Sequence, residues 1–455
     1  MTQVEKLAEF VVGVSYEDLP ETAVRALKIR VLDALGCAIG ALGGEPVRLV
    51  REQIEEFGAN PLTTLIGGGK TAPDRAALYN GALVRYLDYN DSFLAPEETC
   101  HPSDNLGAVL AAAEYTGGTG RELLVALAVA YAVQCRLSEV APVRDKGFDH
   151  TTQGAYAAAA GVARALGLDA ERAANAIAIS GTANNALRVT RTGALSNWKG
   201  LAYPNTGFAA AHASFLAMRG ITGPLEVFEG NKGFMEAISG PFEVDWELED
   251  LEAVTRTIVK KYNAEVHSQS ALEGILELKE KHGIRPAEVE CVELEIFEVA
   301  YNIIGGGEEG EKKTVRTKEE ADHSLPYMLA VSLLDGEVYP AQYEQKRIAR
   351  EDVQSLLRRV EVRPADDLSA RFPQEMPARV QVSLRNGRSF AVEKRDYEGF
   401  ITRPISWEQE LEKFERLAAP YADGKLRDSI AFAVRQVEDV EVRELAGLLG
   451  KVGTR

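Results

Sequence analysis

The segment "TTQGAYAAAAGVARALGL" (residues 151–168) is built largely of alanine and glycine. Small residues at every step let neighbouring helices approach closely on all sides, so a helix of this composition belongs at the centre of a bundle. The same character recurs in "NLGAVLAAAEYTG", "GRELLVALAVAYAVQCRLSEVA" and "NTGFAAAHASFLAMRG". Two further segments, "LPETAVRALKIRVLDALGCAIGAL" and "TAPDRAALYNGALVRYLD", repeat apolar residues at three- and four-residue steps, and the first places proline near a helix start. Tight helix-on-helix packing is therefore expected from about Leu7 to about Gly220.

The pattern changes after about Tyr262. "EVECVELEIFEV" and "ARVQVSLRNGRSFAVEKRDYEG" alternate apolar and polar residues as half-buried strands do, the second with Asn386-Gly387 at a hairpin turn. Helix-like pieces lie between them, and "GGGEEGEKK" (305–313) reads as an exposed loop. After Pro404 the helical period returns. The fold class expected is mostly α with an inserted α+β domain. The large all-helical domain takes residues 1–264, a smaller α+β lid domain takes 265–400, and C-terminal helices from 401–455 return to the helical part.

A chain of 455 residues exceeds one ordinary small core. Its net charge of −18 argues against general nucleic-acid binding, and requires any anion site to be a local island of Lys, Arg and His. Cys37, Cys100, Cys135 and Cys291 are scattered, without the spacing of a zinc site, an iron–sulfur cluster or a disulfide framework. No metal is expected. The first twenty residues are amphipathic and carry acids, unlike a signal or transit peptide. No apolar run looks long enough and free enough of charge to span a bilayer. Cytoplasm is the compartment expected.

Several motifs fail. "GGGKT" (67–71) has Thr64 where a phosphate loop needs glycine, and Ala72-Pro73 follows; a strand-to-helix turn is expected instead. "DYND" lacks the alternation and glycine of a calcium loop. The histidines never fall at His-x-x-x-His spacing, and no Gly-x-Ser-x-Gly elbow is present.

What remains is a set of polar loops, each leading into a nearly apolar helix. Asp88 and Asp91, three apart at a helix end, are expected to share a face, with Ser92 next. His101 opens "HPSDNLG", where Ser103 or Asp104 can cap a helix. His150 precedes the alanine-rich segment, and Lys199 in "LSNWKG" stands ahead of a third such helix. Helix N-termini favour anions, and His and Lys would add the positive island. Taken singly, each residue has a plain structural reading as a cap, a surface charge or, for Tyr327, a core tyrosine.

"LDYNDS", "HPSDNLG", "TRTGALSNWKG", "AEVHSQSA" and "ADHSLPYMLAVSLLDG" resemble, in order, the signature segments of the MmgE/PrpD family, and the likeness extends to "RDYEGFITRPISW". That family includes 2-methylcitrate dehydratases, cis-aconitate decarboxylases and an iminodisuccinate epimerase. "HPSDNLG", "LSNWKG" and "AEVHSQ" are similar to the dehydratase branch. The resemblance implies a helical domain plus an α+β lid in a homodimer, a pocket between domains, and no cofactor. It also implies dehydration of 2-methylcitrate, with citrate as a second substrate, within propionate catabolism and the methylcitrate cycle. The family's active-site residues carry over to Asp88, Ser92, His101, His150, Lys199, Lys260 and Tyr327, with Lys261 the competitor to Lys260 because Asn263 replaces a common proline. Asn90 and Ser92 stand where many members have Asp and Thr.

The chemistry implied assigns His101 and His150 to acid–base work, with Asp88 orienting one of them. Lys199 and Lys260 would hold carboxylates, and Tyr327 would donate a hydrogen bond or a proton. Ser92, Ser103, His267 and Gln269 complete the expected substrate contacts. Decarboxylation or epimerisation in the same pocket is the closest rival, and a non-catalytic anion-binding protein the more distant one.

Overall fold

Small residues become backbone contacts. In the computed structural model, which describes residues 1–453, the helices Gly120–Val140 and Thr151–Ala165 pack side by side and bury nearly every residue. A Cβ added at Gly161 would lie 2.9 Å from the side chains of both Ala130 and Val109. At Gly107 it would lie 2.5 Å from the backbone nitrogen of Gly81, so the helices Pro73–Tyr86 and Leu106–Thr116 touch main chain to main chain. Helix Gly120–Val140 starts in a capping box between Thr119 and Glu122. By length and composition it could cross a bilayer, contrary to the expectation from the sequence. However, 83% of its most apolar stretch is buried inside the protein, as in a core helix.

The chain is predominantly helical, with a small sheet in its C-terminal part, and it divides into two compact units. One comprises Met1–Thr190, Gly200–Ile258 and the residues from Ser406 onward; the other comprises Arg191–Lys199 and Val259–Ile405. The sequence pattern leaves Arg191–Lys199 in the helical part, whereas its contacts assign it to the second unit. The helix holding "NTGFAAAHASFLAMRG" starts earlier than the pattern suggests, at Trp198, and carries Pro204 in its interior.

"GGGKT" forms a hairpin, not a strand-to-helix turn. Thr63 and Thr64 pair with Thr71 and Lys70, and Gly67, Gly68 and Gly69 all have positive φ (93°, 106° and 79°). Lys70 pairs with Glu114 at 3.0 Å. The following helix begins at Pro73.

The second unit is organised around a four-stranded sheet. Strand Val289–Ile296 pairs in parallel with Val360–Pro364 and antiparallel with Ala378–Leu384, which forms a hairpin with Ser389–Lys394. Gly387 alone of the hairpin loop has positive φ, and the amide of Leu384 donates to the Arg388 carbonyl. Ala378, Val380, Val382 and Leu384 point into the core beneath helix Gln269–His282. On that helix Glu273 accepts from Lys394 and Arg403, both at 2.9 Å, and from the Glu398 amide at 3.0 Å. Burial alone would raise its carboxyl, but these partners outweigh burial and hold it down to about 2.

Gly107→Ala should lower stability by about 3 kcal/mol, because backbone cannot rotate away from the new methyl. Gly207→Ala, whose methyl would meet only Ala108 at an ordinary 3.6 Å, should be neutral or slightly stabilising. Thermal unfolding of the pair checks the contrast, and equal melting temperatures would contradict it. A carboxylate depressed in the folded state adds stability that is complete above its unfolded pKa and is lost as pH falls through its folded one. Glu273→Gln should therefore cost about 1–2 kcal/mol at neutral pH, a deficit that shrinks between about pH 5 and pH 2 in urea unfolding.

Candidate active site

Helix Pro73–Tyr86 ends abruptly because Asp88 adopts φ +54°, a left-handed conformation that aspartate tolerates better than most residues. This kink separates Asp88 from Asp91, so the two do not share a helical face. Asp88 accepts from Arg85 at 2.7 Å. Asp91 is fully buried, and its carboxylate accepts from the Ser103 hydroxyl (2.7 Å), the Ser103 amide (3.1 Å) and the Tyr131 hydroxyl (2.8 Å). Burial raises its carboxyl above the usual value, against the pull of Arg30 and these donors.

Asn90 donates to Ser103 and Asp104, both at 2.8 Å. Behind the loop, Lys413 donates to the Tyr89 carbonyl at 2.9 Å and lies 3.7 Å over the Tyr89 ring, held by Asp33 at 2.6 Å. Ser103 and Asp104 thus brace the loop and do not cap a helix; the N-cap position before Leu106 is Asn105, which makes no side-chain cap. The hydrogen of the Ser103 hydroxyl is directed to Asp91.

This frame holds His101. Its Nδ1 lies 2.8 Å from the Asp91 carbonyl and 3.0 Å from Ser92 Oγ. A carbonyl only accepts, so Nδ1 carries the hydrogen and Nε2 is the basic nitrogen of the neutral ring. His150 sits at the N-cap position of helix Thr151–Ala165, with its Nδ1 3.4 Å from Asp149. The rings of His101 and His150 meet edge to face, with centroids 5.4 Å apart. They are 7% and 3% exposed, and their surroundings are polar. The Asp91 carbonyl and Ser92 orient the His101 ring, and Asp149 lies 3.4 Å from His150 Nδ1.

The second unit has its own cluster. Lys199, in the first turn of helix Trp198–Met218, donates to Asp322 at 2.5 Å, and its Nζ lies 2.9 Å from His323 Nδ1. His323 Nδ1 is also 2.8 Å from Asp322 Oδ1, while Lys318 pairs with Asp322 Oδ2 at 2.6 Å. Burial would raise the Asp322 carboxyl, but Lys199, Lys318 and His323 hold it well below the carboxylate range. Asp322 and His323 carry atoms a metal could use, yet a cation there would have to displace two ammonium groups.

In the same unit, His267 donates to Glu265, Nδ1 to Oε1 at 2.7 Å, and its ring lies against Phe297 and Phe372. Burial opposes ionisation of Glu265, but the charge and hydrogen bond of His267, with His323 and Lys260 close by, keep its carboxyl down at about 2. His267 Nε2 is buried without a hydrogen-bond partner among the described residues.

Lys260 is fully buried, whereas Lys261 turns outward to Glu398. Two expected contacts belong to the framework. Gln269 spends its amide on the backbone of Tyr262 and Ala264. Tyr327 is fully buried and its hydroxyl donates to the Gln342 carbonyl. Asp149, Glu265, Asp322 and His323 were missed from sequence. All four lie beside residues or within segments already singled out: Asp149 precedes His150, "AEVHSQSA" holds Glu265, and "ADHS" holds both Asp322 and His323.

The MmgE/PrpD N-terminal domain model matches residues 5–247 and the MmgE/PrpD C-terminal domain model matches residues 262–439. The 2-methylcitrate dehydratase of Escherichia coli K12 is 28% identical over 362 residues, covering 72% of this chain and 71% of that protein. The mitochondrial 2-methylcitrate dehydratase of Yarrowia lipolytica is 24% identical, covering 94% and 86%. The cis-aconitate decarboxylase of Mus musculus is also 24% identical, covering 96% and 91%. The chain belongs to the MmgE/PrpD family.

Proposed function

We propose that this protein is a lyase that removes water from a 2-hydroxy tricarboxylate, 2-methylcitrate first and citrate second, to give the corresponding alkene tricarboxylate. The observation that carries this reading is the contact between the His101 and His150 rings, 5.4 Å apart within a buried polar setting. Elimination needs one group to take a proton from the carbon next to a carboxylate and another to protonate the departing hydroxyl. The two imidazoles differ in the way this requires. His101, with Nδ1 donated to a carbonyl, presents Nε2 as a base. His150, whose Nδ1 lies 3.4 Å from the Asp149 carboxylate, is assigned the acid's part.

In the step itself the C–H electron pair becomes the new C=C bond. The proton passes to His101, the C–O bond breaks, and the hydroxyl takes a proton from His150 to leave as water. Charge builds on the carboxylate next to the reacting carbon, and we assign Lys199 and Lys260 to it. Lys199 is held in place by Asp322, its Nζ 2.5 Å from Oδ1.

The mouse decarboxylase covers more of both chains than the Escherichia coli dehydratase does, which favours decarboxylation of cis-aconitate as the second reading. Chelator-treated protein given 2-methylcitrate, citrate and cis-aconitate separates the two. Dehydration gives alkene absorbance without carbon dioxide, and release of carbon dioxide from cis-aconitate would replace this reading by the second. His150→Ala and Lys199→Ala should each lower turnover by about 10²-fold or more in protein that is still folded at the assay temperature. Near-normal activity in either variant removes that residue from the mechanism.

A further inference from the structure

Lys312 is a nearly buried cation that the account above leaves unused. It is 8% exposed, yet among the described residues its ammonium makes no hydrogen bond or ion pair. Burying a charge without a partner is costly, and the usual reason to keep one is a ligand that supplies the opposite charge. Lys312 lines a cavity of about 200 Å³ within the second unit, together with Gly193, Ala194 and Leu195. Those three residues belong to the segment that leads into Lys199. The position of Lys312 is also fixed: its carbonyl accepts from the Ser324 hydroxyl at 2.5 Å, directly after Asp322 and His323.

The acids around it are each held by other groups. Asp322 is taken by Lys199 and Lys318, and Glu265 by His267. Two glutamates that line the same cavity are occupied by backbone amides, Glu311 by those of Lys313 and Thr314 and Glu320 by those of Arg316 and Thr317. Burial lowers the pKa of the Lys312 ammonium, and Glu309, Glu265, Glu311 and Asp322 oppose that shift without contacting it. A carboxylate arriving in the cavity would complete the missing pair.

We infer that Lys312 is a substrate-binding residue that takes the carboxylate distinguishing a tricarboxylate from a dicarboxylate. This rests on the tricarboxylate reading proposed above. The test measures binding of two unreactive probes, propane-1,2,3-tricarboxylate and pentanedioate, by calorimetry on the full chain. Lys312→Met should weaken the tricarboxylate about tenfold or more and leave the dicarboxylate within about twofold, while Lys312→Arg keeps most of the preference. Lys312→Gln reads the same loss should the methionine variant fold poorly. Lys313→Met serves as control, because Lys313 is half-exposed and pairs with Glu361; it should bind both probes as the wild type does.

Unchanged tricarboxylate affinity in Lys312→Met, or equal loss of both probes, overturns the inference. Wild-type protein that binds the tricarboxylate through Lys312 but converts neither 2-methylcitrate nor citrate supports the inference and sinks the proposed dehydration. Wild-type protein that binds neither probe overturns both.

Discussion

The carboxylate of Asp91 has no access to water, and the loop that carries it is arranged to satisfy it. Tyr131 and Ser103 approach from two other elements and occupy both oxygens, while the carbonyl of the same residue fixes His101. A buried carboxylate left without donors would cost several kcal/mol, so the sequence must bring those donors to it. Holding the carboxylate and aiming the imidazole are one requirement, since both bonds come from a single residue. Lys413 and Asp33 extend the same logic to the Tyr89 carbonyl, from helices Trp407–Ala418 and Glu21–Gly40.

If a strongly acidic chain is to take the polyanion proposed above, it has to keep its cations apart from its general surface. Here they are withdrawn into buried clusters in which each positive group is set by a particular acid. Lys199 is aimed by Asp322, and His267 by Glu265. The Asp322 and Glu265 carboxyls are both held down by the positive groups beside them, against the effect of burial.

Much of this was legible in the residues. Alanine and glycine at helical spacing announced helices that touch through backbone, and Gly107 and Gly161 are where that contact happens. Alternation announced the sheet, and Asn386-Gly387 its hairpin. His101 and His150 stood out because histidine is rare in this chain and each preceded an apolar helix. What failed did so for non-local reasons. Spacing suggested a shared helical face for Asp88 and Asp91, and a left-handed residue destroyed it. The hydroxyl of Tyr327 found a carbonyl fifteen positions away in sequence, which no local pattern foretells. Asp322 was invisible as the partner of Lys199 because the two are separated by 123 residues.

The claim on which the functional account stands is that two imidazoles, each set by a different acceptor, work as one proton-transfer unit. A double-mutant cycle on His101→Asn and His150→Asn, reading the rate of alkene formation from 2-methylcitrate, addresses this directly. The account predicts that the double variant falls no further than the worse single variant, because either loss already disables the pair. Losses that multiply in the double variant would show the two rings acting independently and contradict it.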